Sequence, residues 1–286
     1  MKRLFAFIAV LFFSFGTMVQ ADSAVGDVIV TLGQDLTPAQ KEQVLEEMGV
    51  PKDVQTVTVT NAEEHKYLGE YIPKAQIGSK AISSSKITIK EQGYGIVVDT
   101  NHITWVSKEM YTNALVTAGV KDADIYVTAP FDVSGTAGLT GLIKAYEVST
   151  GETIPEEQKQ VANEEMVTTA KLGDEIGQEE ATNLIETIKE EIAKQDPQTK
   201  EEIQVIINNV TNQLNIQLTQ DQLDQLVALF DKMKDLNINW DQVNAQLDKA
   251  KETWDNFKTS EEGQSILQSI IDFLQSIVDG IAGLFK

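Results

Sequence analysis

The chain changes its hydrophobic period once, near Gly151, and that change limits the folds open to it. Before Gly151, short runs with β-type alternation are interleaved with capped amphipathic helices; after it, only helix-period stripes occur. Every strand of any sheet must come from the first half, and the second half can bury its stripes only against helices or against that sheet. The expected class is α+β: an N-terminal mixed β-sheet with helices, followed by an all-helical C-terminal domain. The expected divisions are a signal peptide over 1–21, a mixed α/β domain over 22–150 and a helical domain over 151–286.

The first half carries specific stop and start signals. "VGDVIVTLG" has strand character, and "TPAQKEQVLEEMGV" has a helix's punctuation: Thr37 as N-cap, Pro38 at the first helical position, Gly49 past the end, and a buried stripe of Val44, Leu45 and Met48. "VQTVTVT" alternates as a strand. "SSKITIKEQGYGIVVDT" has two strands around a Gly-containing turn, which predicts a hairpin. "HITWVS" extends or follows the second of them. Ser107 caps the next helix, Gly119 closes it, and "ADIYVTA" is the last strand.

In the second half, Leu184, Ile185, Ile188 and Ile192 share one helical face, and Asp196-Pro197 ends that helix. Ile203, Ile206, Ile207, Val210 and Leu214 make the next stripe. Thr219 and Gln222 form a capping-box pattern before Leu223, Leu226, Val227, Phe230 and Met233. Asn239 caps a helix whose Trp240, Val243, Leu247, Ala250, Trp254 and Phe257 recur at alternating three and four, a seam that predicts a helix alongside. Acidity concentrates in residues 152–202, with 15 acidic and 5 basic residues, and predicts a solvated helical arm ahead of a bundle over 203–286.

The N-terminus points to export. Lys2 and Arg3 precede an apolar run, Leu4 to Phe15, too short to span a bilayer, and "VQA" ends at Ala21 with small residues where a signal peptidase acts. No cysteine occurs anywhere, so the exported chain must be held by its core. Removing Lys2 and Arg3 lowers the 23 basic residues to 21 against 44 acidic ones, a net charge of −23. Arg3 is the sole arginine. Without the bidentate ligand of phosphate and guanine, and with a strong negative field, the chain is unsuited to nucleic acid or to an anionic membrane. Calcium or magnesium would act only as weak counterions to the acidic arm.

Several familiar chemistries fail on spacing. Ser83-x-x-Lys86 with Tyr111-x-Asn113 and "KTS" at Lys258 echoes the penicillin-interacting enzymes, but Ser83 enters a strand, where residues three apart face opposite sides. Asp235, Asn237, Asn239 and Asp241 begin like a calcium loop, but Trp240 holds the glycine position and Gln246 the bidentate glutamate position. His65 and His102 cannot make a zinc site between them, and His65 falls in an expected solvated loop. No metal site and no cofactor is expected.

"FDVSGTAGLTGLIKAYE" puts Gly135, Gly138 and Gly141 at spacing three. This matches neither a dinucleotide fingerprint nor a P-loop. Ser134 is a natural N-cap that would aim backbone N–H groups at an anion; the simpler reading is a bare helix face that packs closely on the sheet.

Together "LGQDLTPAQKEQVLEEMGV", "YIPKAQIGSKAISSSKI", "NHITWVSKEMYTNALVTAGVKDADIYVTAPFDVSGTAGLTGLIKAYE" and "LTQDQLDQLVALFDKMKDLNIN" resemble the YpuA-like family of secreted Gram-positive proteins carrying a domain of unknown function. The resemblance implies export and a shared fold, and brings no catalytic residue. The expected function is that of a secreted cell-envelope protein, non-enzymatic, that binds or interacts. The alternatives are an envelope hydrolase or transferase with a site near His102 and Ser134, or a weak extracellular divalent-cation binder. The last helix would carry the contact: Ile270, Phe273, Leu274, Ile277, Ile281 and Phe285 belong to an apolar surface covering more than half its circumference, suited to a protein partner or a second copy, the alternative being that it is the buried central helix of its bundle. Export predicts that protein recovered from culture medium or wall extract begins at Asp22 by mass spectrometry; recovery of only the full precursor in the membrane would contradict it.

Overall fold

The computed structural model describes residues 25–236 and 238–259. The expected signal peptide, the last helix with Ile270 to Phe285, and the side chains of Ala250, Trp254 and Phe257 lie outside them.

The elements follow in the order β1 (Val28–Gly33), α1 (Pro38–Glu47), β2 (Gln55–Val59), α2 (Asn61–Leu68), α3 (Lys74–Ile77), β3 (Ser84–Ile89), β4 (Ile96–Thr100), α4 (Lys108–Ala118), β5 (Ala123–Thr128) and α5 (Thr136–Thr150). Among the described residues the helices α6 (Glu156–Ile176), α7 (Gln178–Gln195), α8 (Lys200–Leu214), α9 (Gln220–Asp235) and α10 (Trp240–Thr259) follow. The class is α+β, as the change of period requires. The predicted caps form: Thr37 accepts from Gln40 N, Ser107 from Met110 N and Thr219 from Gln222 N. Each satisfies one of the donors that a helix start leaves unpaired.

The sheet runs β2-β1-β3-β5-β4. β1 is parallel to β2, β5 is parallel to β4, and β3 lies antiparallel between β1 and β5. The expected β3–β4 hairpin is therefore absent, because β5 lies between the two strands. Asp122, just ahead of β5, supplies the reason. Its Oδ1 accepts from Gly93 N at 3.0 Å and Gly95 N at 2.9 Å, and its carbonyl accepts from Lys90 N at 2.7 Å. The glycine turn is thus wrapped around the start of another strand instead of closing its own pair. "HITWVS" does not extend β4; it runs beside the segment before α5, with Ile103 bridged to Val133.

Both sheet faces are covered. On one, Val44 of α1 and its C-cap residue Met48 pack with Val30, Leu32 and Ala129. On the other, Ile29, Ile87, Ile125 and Val127 join the large core beneath α4 and α5. Gly138 and Gly141 of α5 explain the close seat on this face. A Cβ on Gly138 would lie 2.6 Å from the Tyr111 hydroxyl and 3.0 Å from Val127, and one on Gly141 would lie 2.7 Å from Thr31 Oγ1. Side chains there would overpack.

α4 is buried from Met110 through Ala118. An all-round buried helix needs partners on all sides; it has the sheet on one and α6 and α7 on the other. The core consequently runs without a break from Ile29 to Leu247. The acidic stretch 152–202 is drawn into this core and is not a solvated arm: Val161, Met166 and Val167 of α6 and Leu184, Ile185 and Ile188 of α7 are buried, and so are Glu164 and Glu165. Burial of these carboxylates is possible because each meets a lysine. Lys232 of α9 donates to both carboxylate oxygens of Glu164 at 2.8 Å. Glu165 meets Lys189 of α7 at 2.9 Å, with both side chains fully excluded from solvent.

Lys189 also donates to Asn113 O and Thr117 Oγ1 of α4, each at 2.8 Å, so all three ammonium donors are used. Removing one member of such a pair strands a buried charge. Lys189→Met is expected to cost about 3–5 kcal/mol, and the double variant with Glu165→Gln to recover part of that loss. Urea denaturation of the three proteins checks it; equal stabilities would show that the pair is not structurally coupled.

Candidate functional site

The glycine face of α5 fixes its opposite face. With Gly138 and Gly141 against the sheet, Thr140, Ile143, Lys144 and Glu147 point at α2 and α6, at helical spacing. From α2 come Glu63, Lys66 and Tyr67, and from α6 Glu156, Lys159 and Asn163, again at three, four and seven. The three helices enclose a cleft of about 280 Å³.

The charges in the cleft alternate and cancel. Glu63 is oriented by the capping box of α2: its Oε2 accepts from Thr60 N at 2.8 Å, leaving Oε1 for Lys144 Nζ at 2.7 Å. Lys144 also donates to Thr58 O at 2.8 Å. Lys159 bridges Glu147 at 2.8 Å and Glu156 at 3.2 Å. Glu156 accepts from Lys66 and, at 3.2 Å, from the Tyr67 hydroxyl. Three lysines thus meet three glutamates. Burial opposes the charge on Glu63, but bonds from Lys144 and Thr60 outweigh it and hold the carboxyl below its usual range. Lys66 chiefly lowers Glu156. Burial disfavours the Lys159 ammonium, and its two carboxylate bonds more than compensate. These three effects keep Glu63, Glu156 and Lys159 ionised at neutral pH.

Two buried atoms at the wall lack partners: Thr140 Oγ1 and Asn163 Oδ1. Thr140 is 4% exposed and Asn163 0%. The Asn163 amide nitrogen donates to Lys159 O at 2.8 Å, so its oxygen is an acceptor without a donor.

On another side of α2, Glu64 is buried beside the start of α5. Asn61 Nδ2 donates to it at 3.1 Å and Thr136 Oγ1 at 3.4 Å. Burial pushes its carboxyl up to about 7, with a smaller push from Asp35, against the pull of those two bonds. The hydroxyl of Ser134 lies 3.3 Å from that of Thr136, so Ser134 reaches Glu64 only through a second hydroxyl.

His102 is on the surface, its Nδ1 2.8 Å from Asp132 Oδ1. It and Ser134 lie on adjoining segments, since Val133 N donates to His102 O at 3.0 Å and Val106 N to Ser134 O at 3.1 Å. Their side chains are engaged separately, and neither lines the cleft. Ser134 is not the N-cap of α5; Gly135 is, in the left-handed conformation at φ 95° with no side-chain cap bond. Tyr111 donates its hydroxyl to Gly135 O, and Ile103 with Tyr111 leaves no room for a Cβ there. His65, expected in a loop, lies in α2 with its Nε2 3.0 Å from Gly78 O. Among the described residues no group of three His, Asp or Glu side chains is placed to hold a metal ion.

Residues 32–250 match the family described as "Protein of unknown function (DUF1002)". The chain belongs to the DUF1002 family. It is also 58% identical over 267 residues to "Uncharacterized protein YpuA" of Bacillus subtilis (strain 168), covering 93% of this chain and 92% of that protein. No solved structure matches. The DUF1002 match takes in all three helices of the cleft.

Sequence reasoning missed α2 and with it one wall of the cleft. The signal was Thr60-x-x-Glu63, a capping box ahead of "NAEEHKYL". Its weakness is that only Ala62, Tyr67 and Leu68 are apolar, so no buried stripe announces the helix.

The position of Glu64 generates a pH prediction. A carboxyl raised from 4.5 to about 7 contributes stability while protonated; the contribution is complete below 4.5 and is lost as pH rises through 7. Glu64→Gln keeps the uncharged shape, so near pH 8 it should stabilise the protein by about 2–3 kcal/mol, and near pH 5 by much less. Denaturation curves of the two proteins across this range check it. The difference between them isolates Glu64 from the lowered carboxylates, whose dependence has the opposite sign.

Proposed function

We propose that this protein is exported and serves at the cell envelope as a binding protein without catalytic activity of its own. The observation that carries the reading is the state of the cleft. Each of its lysines and glutamates is already compensated by a partner of opposite sign. None is left as an activated base or nucleophile, which general acid–base or covalent catalysis would need. The two residues best suited by type to hydrolysis, His102 and Ser134, are turned to Asp132 and Thr136. The apolar C-terminal sequence with Ile270 to Phe285 supports a protein partner or a second copy as the larger-scale contact, and the acidic, nearly arginine-free composition disfavours nucleic acid and anionic membrane. The N-terminal apolar run supports export.

The test is incubation of the full-length protein and the double variant His102→Ala/Ser134→Ala with purified cell-wall sugar–peptide fragments. Mass spectrometry should find no new product from either protein, while the fragments raise Tm equally in both. A product made by wild type and lost in the variant would establish the hydrolase or transferase reading instead.

A further inference from the structure

We infer that the α2–α5–α6 cleft takes a small zwitterion: an α-amino acid or a dipeptide with both ends free. This rests on the binding reading above and names its ligand class.

The first ground is charge. The network alternates in sign and sums to zero, so a ligand carrying one charge would displace one member of a pair and leave the other uncompensated in a partly desolvated site. A zwitterion avoids this. Its carboxylate can take the place of a glutamate at Lys159 or Lys144 while its ammonium takes the place of a lysine at Glu147 or Glu63, and every charge keeps a partner. The second ground is size. A volume of about 280 Å³ is at the lower end for ligand pockets and suits one or two residues rather than a polymer. The third is the pair of orphaned atoms. Asn163 Oδ1 needs a donor, which an ammonium or a peptide N–H supplies, and Thr140 Oγ1 can serve either sense. Buried polar atoms are seldom left unpaired without a role. Ile143 and Tyr67 give the ligand side chain its apolar contact.

The experiment is calorimetric titration of the full-length protein with alanyl-alanine, its N-acetyl derivative, its C-terminal amide and free N-acetylglucosamine. Alanyl-alanine is expected to bind, and each singly charged derivative to bind about tenfold more weakly or worse, because a site built for a polar group rejects the analogue lacking it. Thr140→Val is the decisive variant. It is nearly isosteric and removes a hydroxyl that bonds to nothing within the chain, so a purely structural role predicts unchanged binding with equal or higher Tm. The expected result is weakened binding of alanyl-alanine at undiminished Tm. Equal binding of the capped peptides, unchanged affinity in Thr140→Val, or binding of N-acetylglucosamine alone overturns the zwitterion assignment and leaves the binding reading intact. Absence of any heat with alanyl-alanine overturns the assignment too. Turnover of wall fragments would overturn the reading beneath it.

Discussion

The buried pair between Lys189 and Glu165 is the interaction on which the arrangement of this protein depends. An ammonium taken out of water must have its three donors matched, and here the three oxygens come from two other helices: Glu165 of α6, and Asn113 O and Thr117 Oγ1 of α4. Thr117 in turn donates to the second oxygen of Glu165. A closed set of this kind tolerates little sliding, because each displacement leaves a charge or a hydroxyl unpaired in a low-dielectric interior. It therefore sets the register of α6 and α7 on α4, and α4 is itself anchored on the sheet. Apolar packing supplies the bulk of cohesion but is forgiving of position; the ionic cluster supplies the position.

That register reaches the cleft. Asn163 stands two residues before Glu165, and Lys159 and Glu156 follow on the preceding turns of the same helix. The depth at which α5 sits against the sheet is decided separately, by the bare surface of Gly138 and Gly141. The cleft is thus framed by two constraints of different kinds, a charge cluster behind α6 and steric contact behind α5, with α2 held to them by Glu63–Lys144 and Lys66–Glu156. Within a strongly acidic chain this makes a locally neutral region. The long-range field is negative, yet a ligand entering the cleft meets paired charges at short range, where direct contacts exceed the screened background.

Much of the local structure was legible because its causes are local. Thr37 with Pro38, Ser107 with Gly119, and Thr219 with Gln222 are satisfied within a turn of themselves, and Ile203, Ile206, Ile207 and Val210 announce a buried face by spacing alone. The close seat of α5 was also legible, since Gly138 and Gly141 at spacing three leave one face bare, although Gly135 proved to be the N-cap ahead of the helix. The candidate site was legible only in part. Lys144 was visible as a charged residue well inside a helix, but its partners Glu63 and Thr58 are more than eighty positions away. The β3–β4 turn misled for a related reason: a glycine turn between two strands is compatible with a hairpin and equally with a clasp around Asp122, and the choice is made by a residue beyond the second strand.

By itself the sequence determined the class of fold, the place where strands give way to helices, the caps other than that of α5, the buried stripes and the excess of negative charge, all of which follow from nearest neighbours or from sums. Only the tertiary structure decided which carboxylates are solvated and which are buried. Glu63, Glu64, Glu164 and Glu165 look alike in the sequence, yet one orders a cleft, one is pushed up to about 7, one takes a lysine from α9 and one closes the central cluster. The physical reason is that a carboxylate's state is set by the charges and donors within a few ångströms of it. In a chain whose core runs from its first strand to its tenth helix, those neighbours come from positions that local spacing does not connect.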